Sequence, residues 1–493
     1  MSFTSVAFLI IFFPICILVY YFMNEKYRNV FACIMSIVFY SWCGIKFLIL
    51  MLVSSTLMYV VGRLIEKSDS TIKKRILLIL AITYNIVILF FYKYLFNIFP
   101  SALDIWQGIT SQEISFISLP LGISFYTFSL MSYVIDIYWE KCKANHSLVN
   151  VYLYVLFFPK VVQGPIMRYS DFESQLNSKT VNIDGLNIGL ERFIKGMVKK
   201  LLIADKIQLL VNYSFNNITD ANVDAIPAWI GIISYLLQLY YDFSGYSDMA
   251  IGLGNMMGFK LPENFDHPYM ASSVAEYWRR WHISLGEWFR DYMYMPCSRW
   301  IISRKLIGKL KKNKMLVCDL FALAITWLFT GIWHGCGEKF VIYGLWWFAF
   351  IAFERIRDNF RKNYRKKKKL PLKKDSWWQV ILNHLETAVA VVFGQVIFRS
   401  SSMSEVLLYW QKMLSFDFSD SVLIFKEVNN YTIFIFIVAI IFCFPVLNVI
   451  KDKFISKNTA LTIIYRITLV IFAVIAFSSA VSSGYTAFLY EIY

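Results

Sequence analysis

The chain is 493 residues long, 58% hydrophobic, 18% aromatic and only 17% charged, and its formal net charge is +16. Soluble domains run at about 45–50% apolar and 25% charged, so this composition excludes a water-soluble globule; it also excludes disorder, because apolar surface on this scale collapses or inserts. An all-α polytopic membrane protein fits, with room for roughly ten or more spans of about 20 residues.

The first apolar run, 3–22, lacks a basic leading region and a small-residue cleavage site, and a second run follows almost at once, so it reads as a retained helix. Further candidate spans follow at 30–45, 47–62, 76–99, 119–139, 201–215, 228–258, 315–333, 338–353, 379–398, 431–450 and 461–485. The expectation is about 11–12 transmembrane helices, one or two of them re-entrant or interfacial. A single integral-membrane domain covers 1–493: N-terminal helices over 1–115, a catalytic core over 116–355 and C-terminal helices over 356–493.

Basic residues fill the loops 63–75, 299–314 and 355–374, the last with the run Arg365 to Lys369, whereas 101–118 and 212–228 contain no Lys or Arg. That alternation predicts basic loops in the cytoplasm and both termini outside. Attraction to anionic lipid head groups accounts for the basic balance, and no nucleic-acid-binding module accompanies it. The eight cysteines are scattered and the five histidines sit far apart, so neither a disulfide frame nor a metal site is expected.

Ionisable residues inside apolar segments carry the functional information, because their burial is costly. Three stretches stand out in chain order. In 240–252, Asp242 and Asp248 lie on different faces of an apolar helix and need partners, which neighbouring hydroxyls such as Tyr241 and Ser244 could supply. A structural polar clamp and a role in proton carriage or substrate orientation are the two readings. In 277–290, Trp278, Trp281, Leu285 and Trp288 form an aromatic stripe at helical spacing, with Arg279 and other charges mostly elsewhere. That pattern predicts an amphipathic helix at the membrane–water boundary, from which His282 could reach inward. In 331–337, Trp333 and His334 sit among glycines at a turn between two apolar runs. A neutral imidazole there can accept a proton from a hydroxyl; the competing reading is a turn histidine bonded to a backbone carbonyl. No G-x-G-x-x-G after a strand, G-x-S-x-G elbow or P-loop occurs, and Cys336 beside His334 reads as packing.

Trp333-His334-Gly335 within 330–337, the segment 277–285 and the segment 240–252, in this order along the chain, resemble the membrane-bound O-acyltransferase family. The segments 119–128 (LPLGISFYTF) and 157–166 (FFPKVVQGPI, containing Gln163) match it too, as do the run 3–21 and Phe398-Arg399. The likeness is greatest to the branch that O-acetylates alginate, other bacterial exopolysaccharides and peptidoglycan; the D-alanyl transfer proteins of teichoic acid modification resemble it as well. The resemblance implies a multi-helix bundle around a central tunnel in the bacterial cytoplasmic membrane. It implies that His334 is the invariant active-site histidine, that His282 is the second functional polar position, and that Asp242 and Asp248 match the pattern. It implies no bound cofactor, a thioester donor such as acetyl-CoA or an acyl carrier protein, a cell-surface polysaccharide acceptor and an extracytoplasmic acetyltransferase partner.

Acyl transfer from a thioester to a hydroxyl needs a base for the hydroxyl and stabilisation of the oxyanion. The expectation is that His334 removes the acceptor proton, while His282 or a nearby amide stabilises the tetrahedral oxygen or positions the donor. Two alternatives stand beside it: D-alanyl transfer from a carrier protein to teichoic acid, and a proton-coupled transporter in which the same His and Asp form a relay.

Overall fold

The computed structural model describes residues 1–99, 119–219, 223–303, 314–371, 376–415, 417, 428–482 and 487–489. The expected non-basic loop 101–118 lies outside them, as do Arg304, Lys305, Lys309, Lys311 and Lys312 of one basic loop and Lys373 and Lys374 of another. The described residues are overwhelmingly helical, and their one isolated β-bridge joins Phe265 to Trp281. Among the described residues, five helices are long and apolar enough to cross a membrane alone: Ile45–Lys67, Thr71–Ile98, Lys314–His334, Trp377–Arg399 and Thr459–Ser482. The pair Asn430–Phe442 and Val446–Ile455, bent by 65°, makes a sixth if counted as one span. The other apolar runs fold as helices that are shorter, interrupted, more charged or less apolar, such as Phe8–Phe22, Asp205–Asn216 and Ala225–Met256. This is an all-α polytopic membrane protein.

Contacts group the chain into two units, each assembled from separate stretches. One comprises Met1–Leu201, Phe243–Glu263 and Thr468–Tyr493; the other comprises Leu202–Asp242 and Asn264–Ile467.

In the first unit, α1 (Ile45–Lys67) and α2 (Thr71–Ile98) pack on α3 (Ile123–Tyr138), which is buried along almost all its length. Gly122 opens α3 with φ 74°, and a Cβ there would run into the backbone of Val161 and Val162. Only glycine tolerates both the left-handed backbone and that approach, so the buried turn 157–164, which follows α4 (Leu148–Leu156), lies directly on the start of α3. Within the turn, Lys160 Nζ donates to Ser129 Oγ at 3.2 Å and stands 4.3 Å over the Tyr154 ring. Gly189 and Gly196 of α5 (Ile183–Val198) meet Gly252 and Gly245 of α6 (Ala225–Met256), so the two backbones touch without intervening side chains.

In the second unit, α7 (Val274–Arg280) and α8 (Ile283–Phe289) are short, while α9 (Lys314–His334), α10 (Glu338–Lys367) and α11 (Trp377–Arg399) are long. A Cβ on Gly331 would strike the Phe340 carbonyl, and one on Gly344 the Trp327 carbonyl, so α9 and α10 form a hairpin in intimate contact. The turn between them ends at Gly337, whose φ is 108°. Trp346 Nε1 donates to Ala390 O at 2.9 Å and Arg357 pairs with Glu386 at 2.5 Å, tying α10 to α11. Many large apolar side chains on the long helices are exposed, as lipid-facing surfaces require.

Candidate active site

His334 is the last residue of α9 and is buried. The glycine contact between α9 and α10 brings Tyr343 edge-on to its ring at 5.6 Å, while Phe398 of α11 closes a second side perpendicularly at 5.0 Å. Trp333 covers a third side at 4.7 Å. The imidazole thus stands in an aromatic box built from three helices.

His282 also neighbours Trp333, with ring centroids 6.3 Å apart. The expected continuous interfacial helix over 277–290 is absent; α7 stops at Arg280, and α8 begins at Ile283 after His282 turns through φ 46°. The cause is a distant segment that captures the backbone here. Asp266 N donates to Arg280 O at 2.9 Å, and Ile283 N donates to Asn264 O at 3.0 Å. The stripe faces the protein interior: Trp281, Leu285 and Trp288 are buried, with Trp281 packed on Phe265 at 5.1 Å and on Tyr277 at 5.9 Å.

Asn264 also sets the chemistry of His282. Its Oδ1 accepts from the His282 Nδ1–H at 3.0 Å and from the Ser284 hydroxyl and amide at 2.9 and 3.3 Å. A carboxamide oxygen only accepts, so the proton of neutral His282 sits on Nδ1 and the lone pair on Nε2. Burial pushes its pKa down to about 3, which keeps the ring neutral at physiological pH. Neutral His282 with this tautomer can accept a hydrogen bond through Nε2 but cannot donate one there, so it is equipped to hold a hydroxyl rather than an oxyanion.

Glu354 of α10 anchors the same region. Its two carboxylate oxygens accept from the Val274 and Ala275 amides at 2.6 and 3.0 Å, satisfying first-turn donors of α7, while Ser273 Oγ accepts from Glu276 N.

The other predicted residues divide as follows. Trp278 is half-buried and stacks edgewise on Trp327 at 4.8 Å and Trp347 at 5.0 Å; Trp347 in turn meets Tyr343 at 5.8 Å, so Trp278 joins the aromatic shell around the box. Arg279 is exposed on α7. Tyr241 donates to Ala439 O at 2.8 Å, an anchor between helices of the second unit, where Asp242 is also buried. Asp248, Ser244 and Gln163 belong to the first unit. Asp248 is clamped by Lys199 at 2.6 Å and Arg192 at 3.0 Å, and Arg192 also binds Glu263, which is the arrangement of a structural charge cluster. Ser244 and Gln163 are buried, and among the described residues neither the Ser244 hydroxyl nor the Gln163 amide has a hydrogen-bond partner.

Asn264, Tyr343 and Gln395 had no local signature. Asn264 lies in an irregular loop, Tyr343 and Gln395 in apolar helices where one polar tip is unexceptional. Glu354 carried the one usable signal, a carboxylate just beyond an apolar run.

The profile of the membrane-bound O-acyltransferase family matches residues 37–382. Curated relatives include a probable alginate O-acetylase of Pseudomonas aeruginosa, 36% identical over 419 residues, which make up 84% of this chain and 75% of that protein. A peptidoglycan O-acetyltransferase of Helicobacter pylori is 28% identical over 461 residues, 87% of this chain and 82% of its own. A teichoic acid D-alanyltransferase of Bacillus subtilis is 31% identical over 281 residues, 56% and 68% of the two chains.

Proposed function

The chain belongs to the membrane-bound O-acyltransferase family, and on that premise we propose that it moves an acetyl group from a cytoplasmic thioester to hydroxyls of a cell-envelope polysaccharide. Its O-acyltransferase activity and multi-pass membrane setting come with the family. The acetyl group and the polysaccharide acceptor rest on the relatives with alginate and peptidoglycan O-acetylation in their names, which cover more of the chain than the D-alanyl transfer relative.

The observation that carries the mechanism is the pair of buried imidazoles that both neighbour Trp333. In the proposed step, His334 takes the proton of the acceptor hydroxyl as its oxygen attacks the thioester carbonyl. The tetrahedral intermediate collapses with cleavage of the C–S bond, and the proton passes to the departing thiolate. Ester and free thiol are the products. His282, neutral and with a lone pair rather than a proton on Nε2, positions the hydroxyl by accepting from it. Acetyl-CoA and an acyl carrier protein both fit as donors: both are anionic, and the basic loops would draw either to the cytoplasmic face. The reading places the chain in the bacterial cytoplasmic membrane with both termini outside, where an extracytoplasmic acetyltransferase partner would meet it.

The test is mass analysis of the surface polymer in a deletion strain. Missing acetate supports the proposal, missing D-alanine replaces it with the carrier-protein reaction, and an unchanged polymer favours a transporter. His334→Ala should abolish O-acetylation with membrane insertion intact, whereas His282→Ala should cost less.

A further inference from the structure

We propose that the Tyr343 hydroxyl is the donor that stabilises the thioester oxyanion, and that Gln395 is the positioning residue that orients it. This inference rests on His334 acting as the base, and it supplies a part that the two histidines leave open. His334 is assigned to the acceptor proton, and His282 presents a lone pair rather than an N–H at Nε2. The tetrahedral oxygen therefore needs a donor from elsewhere in the box.

Tyr343 is buried, edge-on to His334 at 5.6 Å and packed against Phe398 at 5.1 Å. Gln395 and Phe398 stand three residues apart on α11 and so share one face, which turns both toward the hairpin of α9 and α10. Gln395 Nε2 donates to Tyr343 Oη at 3.5 Å. A phenol has one proton, and accepting from the carboxamide leaves that proton to be donated onward and makes it a better donor. The Gln395 carbonyl oxygen has no hydrogen-bond partner among the described residues, although the residue is 1% exposed. A buried carboxamide in that condition is costly unless a ligand completes it, and an acceptor sugar hydroxyl has the required O–H. During reaction no proton leaves Tyr343: its O–H donates a hydrogen bond that stabilises the negative charge developing on the carbonyl oxygen, while the C–O bond forms and the C–S bond breaks.

The experiment follows the initial rate of alkali-labile O-acyl accumulation on the cell-envelope polymer after induction of the full chain in a strain lacking its own copy, normalised to the amount in the membrane. Tyr343→Phe keeps the ring and its packing, and should lower the rate about 10²-fold or more, the usual cost of one oxyanion donor. Gln395→Leu should lower it by about tenfold, with Gln395→Asn recovering part of that loss. Because Gln395 acts through Tyr343, the double variant should be no slower than Tyr343→Phe alone. Tyr343→Phe retaining more than half the rate while His334→Ala is inactive overturns this inference and spares the base assignment. Multiplying losses in the double variant overturn the role given to Gln395. Activity in His334→Ala overturns both.

Discussion

Asn264 decides what His282 can do, because one oxygen takes the ring Nδ1–H together with both donors of Ser284. Asn264→Leu would leave those donors buried without that acceptor, at a cost of about 1–3 kcal/mol of stability. It would also release the tautomer, so O-acyl transfer should fall by more than the loss of folded protein explains; thermal unfolding in detergent and polymer acyl content measure the two effects separately. Full activity per folded chain would mean that the tautomer is immaterial. Lys160 makes a prediction of another kind. Burial pushes its pKa from 10.5 down to about 7. Between those values the unfolded chain holds a proton that the folded chain has released, so stability rises with pH across that window and is lowest at and below its acid end. Lys160→Met should raise the melting temperature at pH 6 and flatten the rise between pH 7 and 10; an unchanged slope would refute the assignment. His282 acts in the same sense at lower pH, costing stability as the pH falls from about 6.5 toward 3.

At the scale of helices, the contact of α9 with α10 through Gly331 and Gly344 places His334 against Tyr343. Gly344→Val would push the two helices apart, and should cost about 1–3 kcal/mol and most of the activity. A variant as stable and active as the parent would show that the close approach does not position the site. The turn that carries His334 was legible in the sequence as a histidine among glycines between apolar runs, a pattern that by itself left a base and a turn histidine bonded to a carbonyl both open. The His282 turn was legible as a polar position but not as a break. Helical periodicity runs smoothly through Trp278, Trp281, Leu285 and Trp288, and the interruption comes from Asn264 and Asp266, which pair with the backbone of Arg280 and Ile283. Local spacing carries no trace of such a partner. Phe398 was visible only through the family likeness, and Tyr343 and Gln395 only through the packing of three helices.

For the whole molecule, hydropathy gave the class directly, because helices such as Thr459–Ser482 expose apolar surface almost throughout. Individual spans are less regular than the hydropathy suggests: one pair of apolar helices is bent by 65°, others are short, and α10 continues into a charged half. The boundary between the two units falls within α6, at Asp242 and Phe243. That division separates the two aspartates that looked alike in the sequence, leaving Asp248 in a charge cluster with Arg192, Lys199 and Glu263. The proposed orientation has its own consequence. A single cysteine at Lys366, in a background with the native cysteines replaced, should react with an impermeant maleimide only when the cytoplasmic face is accessible. Labelling in intact cells would invert the topology.

The central claim is that His334 is the base for O-acyl transfer to a surface polysaccharide. Its most direct measurement is the ester-linked acetate on that polymer in a deletion strain complemented with the parent chain or with His334→Ala, at equal abundance in the membrane. The account predicts acetate restored by the parent and absent with His334→Ala; acetate restored equally by both would contradict it.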